Sequence, residues 1–167
     1  MRSKIVAGLL LATLVTVAGC ASTADRLPAG SPSDARTVSL EFTGKDLDGA
    51  TFNGEQLAGK PIVLWFWAPW CATCRAQAGR VASLAREYDG EVNVVGVGGL
   101  SDDSDIRDFA RVVKGPTHLV DPKGAIWTHF RVAAQSTYLI LDEDGAVVVE
   151  GYLDNDDLSA QVAELAG

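Results

Sequence analysis

The chain has 167 residues, of which 22 are acidic and 14 basic, a formal net charge of −8, and 47% of it is hydrophobic. That length accommodates one well-buried core and argues against two, while the acidity disfavours nucleic-acid binding and offers no basic surface to hold a membrane. Three cysteines are present, Cys20, Cys71 and Cys74, and no internal repeat is visible.

The first element in chain order is a leader. Arg2 and Lys4 precede the apolar run Ile5–Val17, which has the length of a signal-peptide core and is too short for a comfortable membrane-spanning helix. Val17-Ala18-Gly19-Cys20 resembles the bacterial lipobox, in which the cysteine becomes the lipidated first residue of the mature protein. An ordinary signal peptide with an incidental cysteine is the alternative. Residues 1–19 are therefore expected to be a lipoprotein signal peptide and Cys20 the lipidation site. The protein is then extracytoplasmic, held to the bacterial cell membrane by its lipid anchor. Cleavage there removes Arg2 and Lys4, and lipid on Cys20 leaves Cys71 and Cys74 as a single redox pair. Residues 20–37 are small and polar, with Pro28, Gly30 and Pro32, and read as a flexible tether. The folded domain is expected over residues 38–167.

Val38 to Phe42 alternates like a strand, and Thr51-Phe52 followed by Asn53-Gly54 reads as a short strand and turn. The run Ile62–Ala68 is apolar on both faces, the pattern of a strand buried inside a sheet. A helix is predicted from about Cys71 to Tyr88, with Ala78, Val81, Leu84, Ala85 and Tyr88 along one face and Gly90 just past its end. Val92–Val97 reads as another buried strand. Asp102–Val113 reads as a helix whose acidic start complements the dipole and whose Ile106, Phe109, Ala110 and Val113 share a side. Leu119-Val120 is a short strand before the turn Asp121–Gly124, and Ile126–Val132 a short helix. Tyr138–Leu141 and Ala146–Tyr152 form a hairpin around Asp142–Gly145. Asp156–Ala166 closes the chain as a helix carrying Leu158, Val162 and Leu165. This alternation predicts an α/β fold with a central mixed sheet and helices on both faces.

The chemistry concentrates in Trp70-Cys71-Ala72-Thr73-Cys74, where the buried strand hands over to the first long helix. On a helical turn, residues three apart lie on one face with Cβ atoms roughly 5–6 Å apart, within reach of a disulfide after modest adjustment. Thiols at helix N-termini face unpaired N–H groups and ionise more readily than free ones. Cys71 is therefore the expected nucleophile and Cys74 the expected resolving thiol, with Arg75 tuning the site by its positive charge. Trp70 is expected to flank the reactive sulfur and Trp67 to be core. Two other readings apply to such a pair. Zinc takes four ligands, and the remaining candidates, Cys20, His118 and His129, have no paired spacing. A purely structural bridge closing so short a loop removes little chain entropy. Reversible exchange accounts for more of the pattern, with no metal and no cofactor.

Phe66-Trp67-Ala68-Pro69-Trp70-Cys71-x-x-Cys74-Arg75 resembles the active-site segment of the thioredoxin superfamily. The lipid-anchored setting, the front extension from Leu40-Glu41-Phe42 to Lys60-Pro61 and the insertion between Val97 and Tyr138 are similar to its TlpA/ResA/DsbE branch. The resemblance covers about Val38 to the C-terminus. It implies a thioredoxin-like fold and thiol–disulfide exchange with cysteines of exported proteins, through a mixed disulfide on Cys71 that Cys74 resolves. It also implies a membrane or extracytoplasmic redox partner that resets the pair. Leu64-Trp65-Phe66-Trp67 is similar to DsbE-type proteins of actinobacteria, which, in an oxidising compartment, implies an oxidase. A dedicated reductase, such as one serving cytochrome c maturation, is the alternative.

Several positions depart from the family pattern. Members carry a cis-proline facing the cysteines, just before the strand that begins the final hairpin, and the alignment places Ser136 there. Gln135, Ser136 and Thr137, with Trp70, are the implied substrate-binding residues. A cis bond before a residue other than proline is rare, so either Gln135–Ser136 is cis or the loop is rebuilt. The family loop also keeps metals from the sulfurs, so its change leaves open a lipoprotein that binds a metal or a partner through its two thiols. Thr73 stands where a proline often precedes the second cysteine, and Gln77 and Gly79 where this branch has a glutamate and a helix-kinking proline. Trp65 replaces the buried aspartate that thioredoxin uses for proton transfer. No acid is then expected beneath Cys74 unless the fold brings Glu55 close. A peroxidase is disfavoured because Ala76 stands where the peroxiredoxin pattern needs its cysteine.

Overall fold

The front extension forms a hairpin of its own, β1 (Thr43–Lys45) antiparallel to β2 (Thr51–Asn53), followed by a 3-10 turn over Gly54–Leu57. The structure is a computed structural model describing residues 36–167, so the expected leader, Cys20 and the tether as far as residue 35 lie outside the described residues. From β3 (Ile62–Trp67) onward strands and helices alternate: α1 (Ala72–Glu87), β4 (Asn93–Gly98), α2 (Asp103–Val112), β5 (Thr117–Val120) and α3 (Ala125–His129). A final hairpin, β6 (Thr137–Leu141) and β7 (Val147–Gly151), leads to α4 (Asn155–Ala166). The five long-range strands form one mixed sheet in the order β5-β4-β3-β6-β7, parallel on the β4 side of β3 and antiparallel on the β6 side.

The sheet's centre is β3, and its composition explains why. All six of its side chains are buried, as expected of a strand covered on both faces. Val63, Trp65 and Trp67 enter a core shared with α1, α2 and α4. Ile62, Leu64 and Phe66 enter a second core with α3, Phe42, Phe52 and Leu57. Removing a side chain of this size from water contributes about 1.5–3 kcal/mol, so this strand supplies a large share of both cores. The expected α/β fold with helices on both faces is what forms. The insertion after β4 becomes α2 and β5, an added edge strand parallel to β4.

One expected strand is absent. Val38–Phe42 alternates in burial but makes no ladder; it runs across the second core with Val38, Leu40 and Phe42 inward. The pairing segment lies just beyond it, where Gly44 faces Phe52. Alternation reported which side chains turn inward, whereas backbone pairing with the final hairpin stops at Val38, whose N–H donates to Gly145 O at 3.3 Å. The chain is already docked at its first described residues, since Thr37 bridges Ala146 and Arg36 O accepts from Val147 N at 2.7 Å.

Candidate functional site

β3 ends at Trp67, and the next four residues turn the chain into α1. Cys71 N–H donates to Ala68 O at 3.1 Å, which closes this turn. Cys71 is itself the N-cap of α1: its backbone is extended (φ −76°, ψ 115°) and its Sγ accepts the N–H of Cys74 at 3.1 Å. Sulfur here occupies the position usually held by a Ser or Asp oxygen. The sulfur thus sits at the N-terminus of α1 with a backbone donor aimed at it. Cys71 is only 8% exposed, less than expected of an attacking sulfur, whereas its neighbour Trp70 is 56% exposed. Both thiols are free.

Cys74 is fully buried, one turn into α1. Burial first, then the hydrogen bond and charge of Cys71, push its thiol up to about 12. Beneath it the sequence departures acquire a structure. Trp65 Nε1 donates to Gln77 Oε1 at 3.1 Å, and Gln77 Nε2 donates to Leu153 O at 3.1 Å. This relay ties β3, α1 and the segment before α4 together, and it fills the place of an acid with a neutral, fully paired amide. Glu55 does not supply the acid. It lies in the 3-10 turn, where its N–H donates to the N-cap Asn53 Oδ1 and its carboxylate accepts from Asn53 Nδ2, and it lines a cavity with Ile62, at the opposite end of β3 from Cys71. Gly79 leaves no interruption, as α1 is one continuous helix.

The loop before β6 carries the next expected residues. Gln135–Ser136 is a cis peptide bond, and Thr137 Oγ1 donates to Ala134 O at 2.8 Å. Thr137 pairs with Phe66, so Ser136 reaches the end of β3 from which the cysteine turn departs. Ser136 is buried and its hydroxyl has no partner. On the other side of Cys71, Trp70 Nε1 donates to Leu100 O at 2.9 Å, and Arg75 Nε donates to Pro69 O at 2.9 Å. Arg75 thus braces the turn that presents Cys71. Trp70, Arg75, Asp105, Phe109 and Val112 line a groove of about 450 Å³.

The two histidines lie elsewhere. His118 is buried edge-on to Trp67, with Nε2 against Val113 O at 2.9 Å, and burial lowers its proton affinity. His129 Nε2 meets Ser39 O at 2.7 Å. Among the described residues no three His, Cys, Asp or Glu side chains converge as a metal site would require. The Gln77 relay, the Leu100 carbonyl and the Tyr138 hydroxyl are not expected from the sequence, because all of them depend on contacts between distant segments. A signal for Gln77 was available in its spacing, one turn beyond Cys74 on the same helical face.

The AhpC/TSA family pattern matches residues 36–150. The soluble secreted antigen MPT53 of Mycobacterium tuberculosis is 34% identical over 131 residues, covering 75% of each chain. The structure of MTB DsbF in its mixed oxidised and reduced forms superposes with a TM-score of 0.71 at 42% identity, over 77% of this chain and 99% of that one. A secreted Mycobacterium tuberculosis disulfide oxidoreductase homologous to E. coli DsbE superposes with a TM-score of 0.69 at 35% identity, over 75% of this chain and 97% of that one. With a CxxC pair capping the first helix of a thioredoxin-like sheet, the chain belongs to the AhpC/TSA family and is a DsbE-like thiol–disulfide oxidoreductase of the thioredoxin superfamily.

Proposed function

We propose that the protein is an oxidase of exported proteins in which Cys71 is the nucleophile and Cys74 the resolving thiol. The observation that carries this reading is the N-cap role of the Cys71 sulfur, which accepts the Cys74 N–H beside the exposed Trp70 while Cys74 is buried one turn behind. In the oxidising direction a substrate thiolate attacks Cys71 Sγ of the Cys71–Cys74 disulfide. A mixed disulfide forms and Cys74 leaves as a thiolate. A second substrate thiolate then attacks the substrate sulfur, so the substrate departs with a disulfide and Cys71 departs reduced. A dithiol pair is oxidising where the fold stabilises its reduced form, and the Cys74 N–H at the start of α1 is the donor placed at Cys71 Sγ. The loop of Gln135, Ser136 and Thr137 and the exposed Trp70 supply backbone and ring surface for the substrate chain. Relatives described as secreted support an extracytoplasmic location. The lipobox-like Val17–Cys20 supports a leader over residues 1–19, lipidation of Cys20 and a tether from residue 20 to the folded domain. A membrane or extracytoplasmic redox partner resets the pair.

Equilibration of the full chain carrying Cys20→Ser with glutathione buffers, followed by tryptophan fluorescence, tests the direction. Superfamily potentials run from about −270 mV to about −120 mV, and an oxidase belongs towards the upper end. A potential at or below the lower end, with no re-oxidation of a reduced unfolded protein, would remove the oxidase reading in favour of a reductase.

A further inference from the structure

Either direction of exchange places negative charge on Cys74, and its surroundings are poor at receiving it. The sulfur is fully buried and its thiol is pushed up to about 12. The buried polar side chains among the described residues are Gln77, His118, Asp121 and Ser136, besides the tryptophans and Tyr138. Gln77 is engaged at both ends by Trp65 and Leu153. Asp121 accepts the N–H groups of Ala125, Ile126 and Trp127 at the start of α3, in the other core. His118 is held by Val113 O through Nε2, and its unpaired Nδ1 and the unpaired Trp67 Nε1 both lie over Gly96 of β4, 2.6 and 2.9 Å from where a Cβ would stand. Ser136 belongs to the loop before β6, at the end of β3 from which the Cys71 turn departs.

Tyr138 remains. It is fully buried in the same core cluster as Cys74, and its hydroxyl has no partner. Its Cα pairs with Trp65 on the adjacent strand, so both rings rise on one face of the sheet. The Trp65 ring reaches Gln77, one turn beyond Cys74 on the inner face of α1. Tyr138 thus stands on the face of the sheet that α1 covers, in the same buried cluster as Cys74, and after burial the Cys74 charge is the next cause that raises the proton affinity of its hydroxyl. An unpartnered buried hydroxyl costs stability, and phenylalanine would fill the same volume without that cost. The feature makes physical sense if a partner arises during the reaction.

Resting on the exchange reading above, we infer that Tyr138 is a positioning and charge-stabilising residue whose hydroxyl donates a hydrogen bond to the Cys74 sulfur as that sulfur gains negative charge. In the oxidising direction the S–S bond of the pair breaks, its electron pair goes to Cys74 Sγ, and Tyr138 O–H turns to that thiolate until it takes a proton from water. In the reverse direction the Cys74 thiolate attacks Cys71 Sγ, the mixed disulfide breaks, and its electron pair leaves on the substrate sulfur. Burial and the neighbouring Cys74 and Tyr152 hold the hydroxyl protonated, so Tyr138 acts as a donor and not as a base. The departures from the family pattern then form one set: Trp65 and Gln77 remove the acid beneath Cys74, and a neutral phenol substitutes for it from the next strand.

The test uses the full chain carrying Cys20→Ser, so that only the site thiols react with dithiobis-nitrobenzoate. The Cys71 thiolate releases one thionitrobenzoate and forms a mixed disulfide. Cys74 then attacks Cys71 Sγ and releases the second. With Tyr138→Phe the second release should slow about tenfold, the loss of one hydrogen bond to a charged sulfur, and its pH dependence should move upward. The first release should be unchanged and the urea midpoint equal or higher. Tyr152→Phe, which alters an exposed ring, should change neither phase. A second phase of Tyr138→Phe that matches the parent at every pH overturns the inference and leaves the exchange reading intact. Equal slowing of both phases with a lowered urea midpoint also overturns it, because that is the signature of a packing role. Failure of the parent to form any mixed disulfide at Cys71 would instead sink the exchange reading, and this inference with it.

Discussion

Selective alkylation of the two site thiols is set by how differently the fold treats them. Cys74 is pushed from an ordinary value of 9.0 up to about 12. Only the thiolate reacts with iodoacetamide. At about pH 8 an ordinary thiol is roughly one-tenth ionised, whereas a thiol at about 12 is ionised to roughly one part in ten thousand, a difference of about a thousandfold. Complete burial of the sulfur slows attack further. Cys71 keeps a donor aimed at its sulfur and retains 8% of its surface exposed, where Cys74 retains none. Limiting iodoacetamide should therefore label Cys71 alone. Raising the pH to about 10 should still leave Cys74 nearly unlabelled, as about one-hundredth of it would be ionised. Tandem mass spectrometry of the peptide spanning both cysteines gives the ratio, and the same reaction in urea supplies the unfolded control, where the two should label alike. Comparable labelling of Cys71 and Cys74 in the folded protein, or a Cys74 profile rising near pH 9, would refute the reasoning about burial on which the assignment of attacking and resolving thiols rests.

Four further outcomes follow from particular contacts. Gly98→Ala should destabilise the fold by about 1–3 kcal/mol, because a Cβ there would stand 2.5 Å from Ile106 Cγ2 and 2.6 Å from Trp67 Cζ2; urea titration measures it. Gln77→Leu leaves the buried Trp65 N–H unpaired and should cost about 1–3 kcal/mol while slowing exchange less than Cys74→Ala does, as compared by denaturation and insulin reduction. His118 is buried with its proton affinity lowered, so the folded state binds fewer protons than the unfolded one just below the ordinary histidine value. Stability should accordingly be full above about pH 6.5, fall as the pH drops below it and level off beneath the folded value; His118→Gln should lose that decline in urea midpoints. Finally, bacteria grown with labelled palmitate should incorporate it into the parent protein and not into Cys20→Ser, and incorporation into neither would remove the proposed anchor.

The legibility of this chain varied with the range of the interactions involved. β3 was readable because six consecutive apolar residues admit few fates other than a doubly covered strand, and α1 because its apolar positions recur at helical spacing. The cysteine pair was readable for the same reason: its geometry is local to one helical turn. The strand expected over Val38–Phe42 misled because alternation reports burial and not pairing, and pairing requires an edge that another part of the chain supplies. Trp65 illustrates the remaining limit. Its presence at an unusual position was plain, but its partner, Gln77, and that partner's second contact with Leu153, join segments far apart in sequence.

By itself, then, the sequence determined the class of chemistry: two thiols one turn apart at a helix start, in a superfamily frame, behind a leader-like segment. Those features are short-range, and short-range geometry follows from residue type and spacing. Only the tertiary structure decided how the two thiols differ. It made the Cys71 sulfur a helix cap, buried Cys74 among tryptophans, carried Glu55 to the far end of β3, and set the Tyr138 ring against the same core. The physical reason is that proton affinity and charge stabilisation depend on what surrounds a group in space, and those surroundings come from strands and helices that meet only when the sheet has formed.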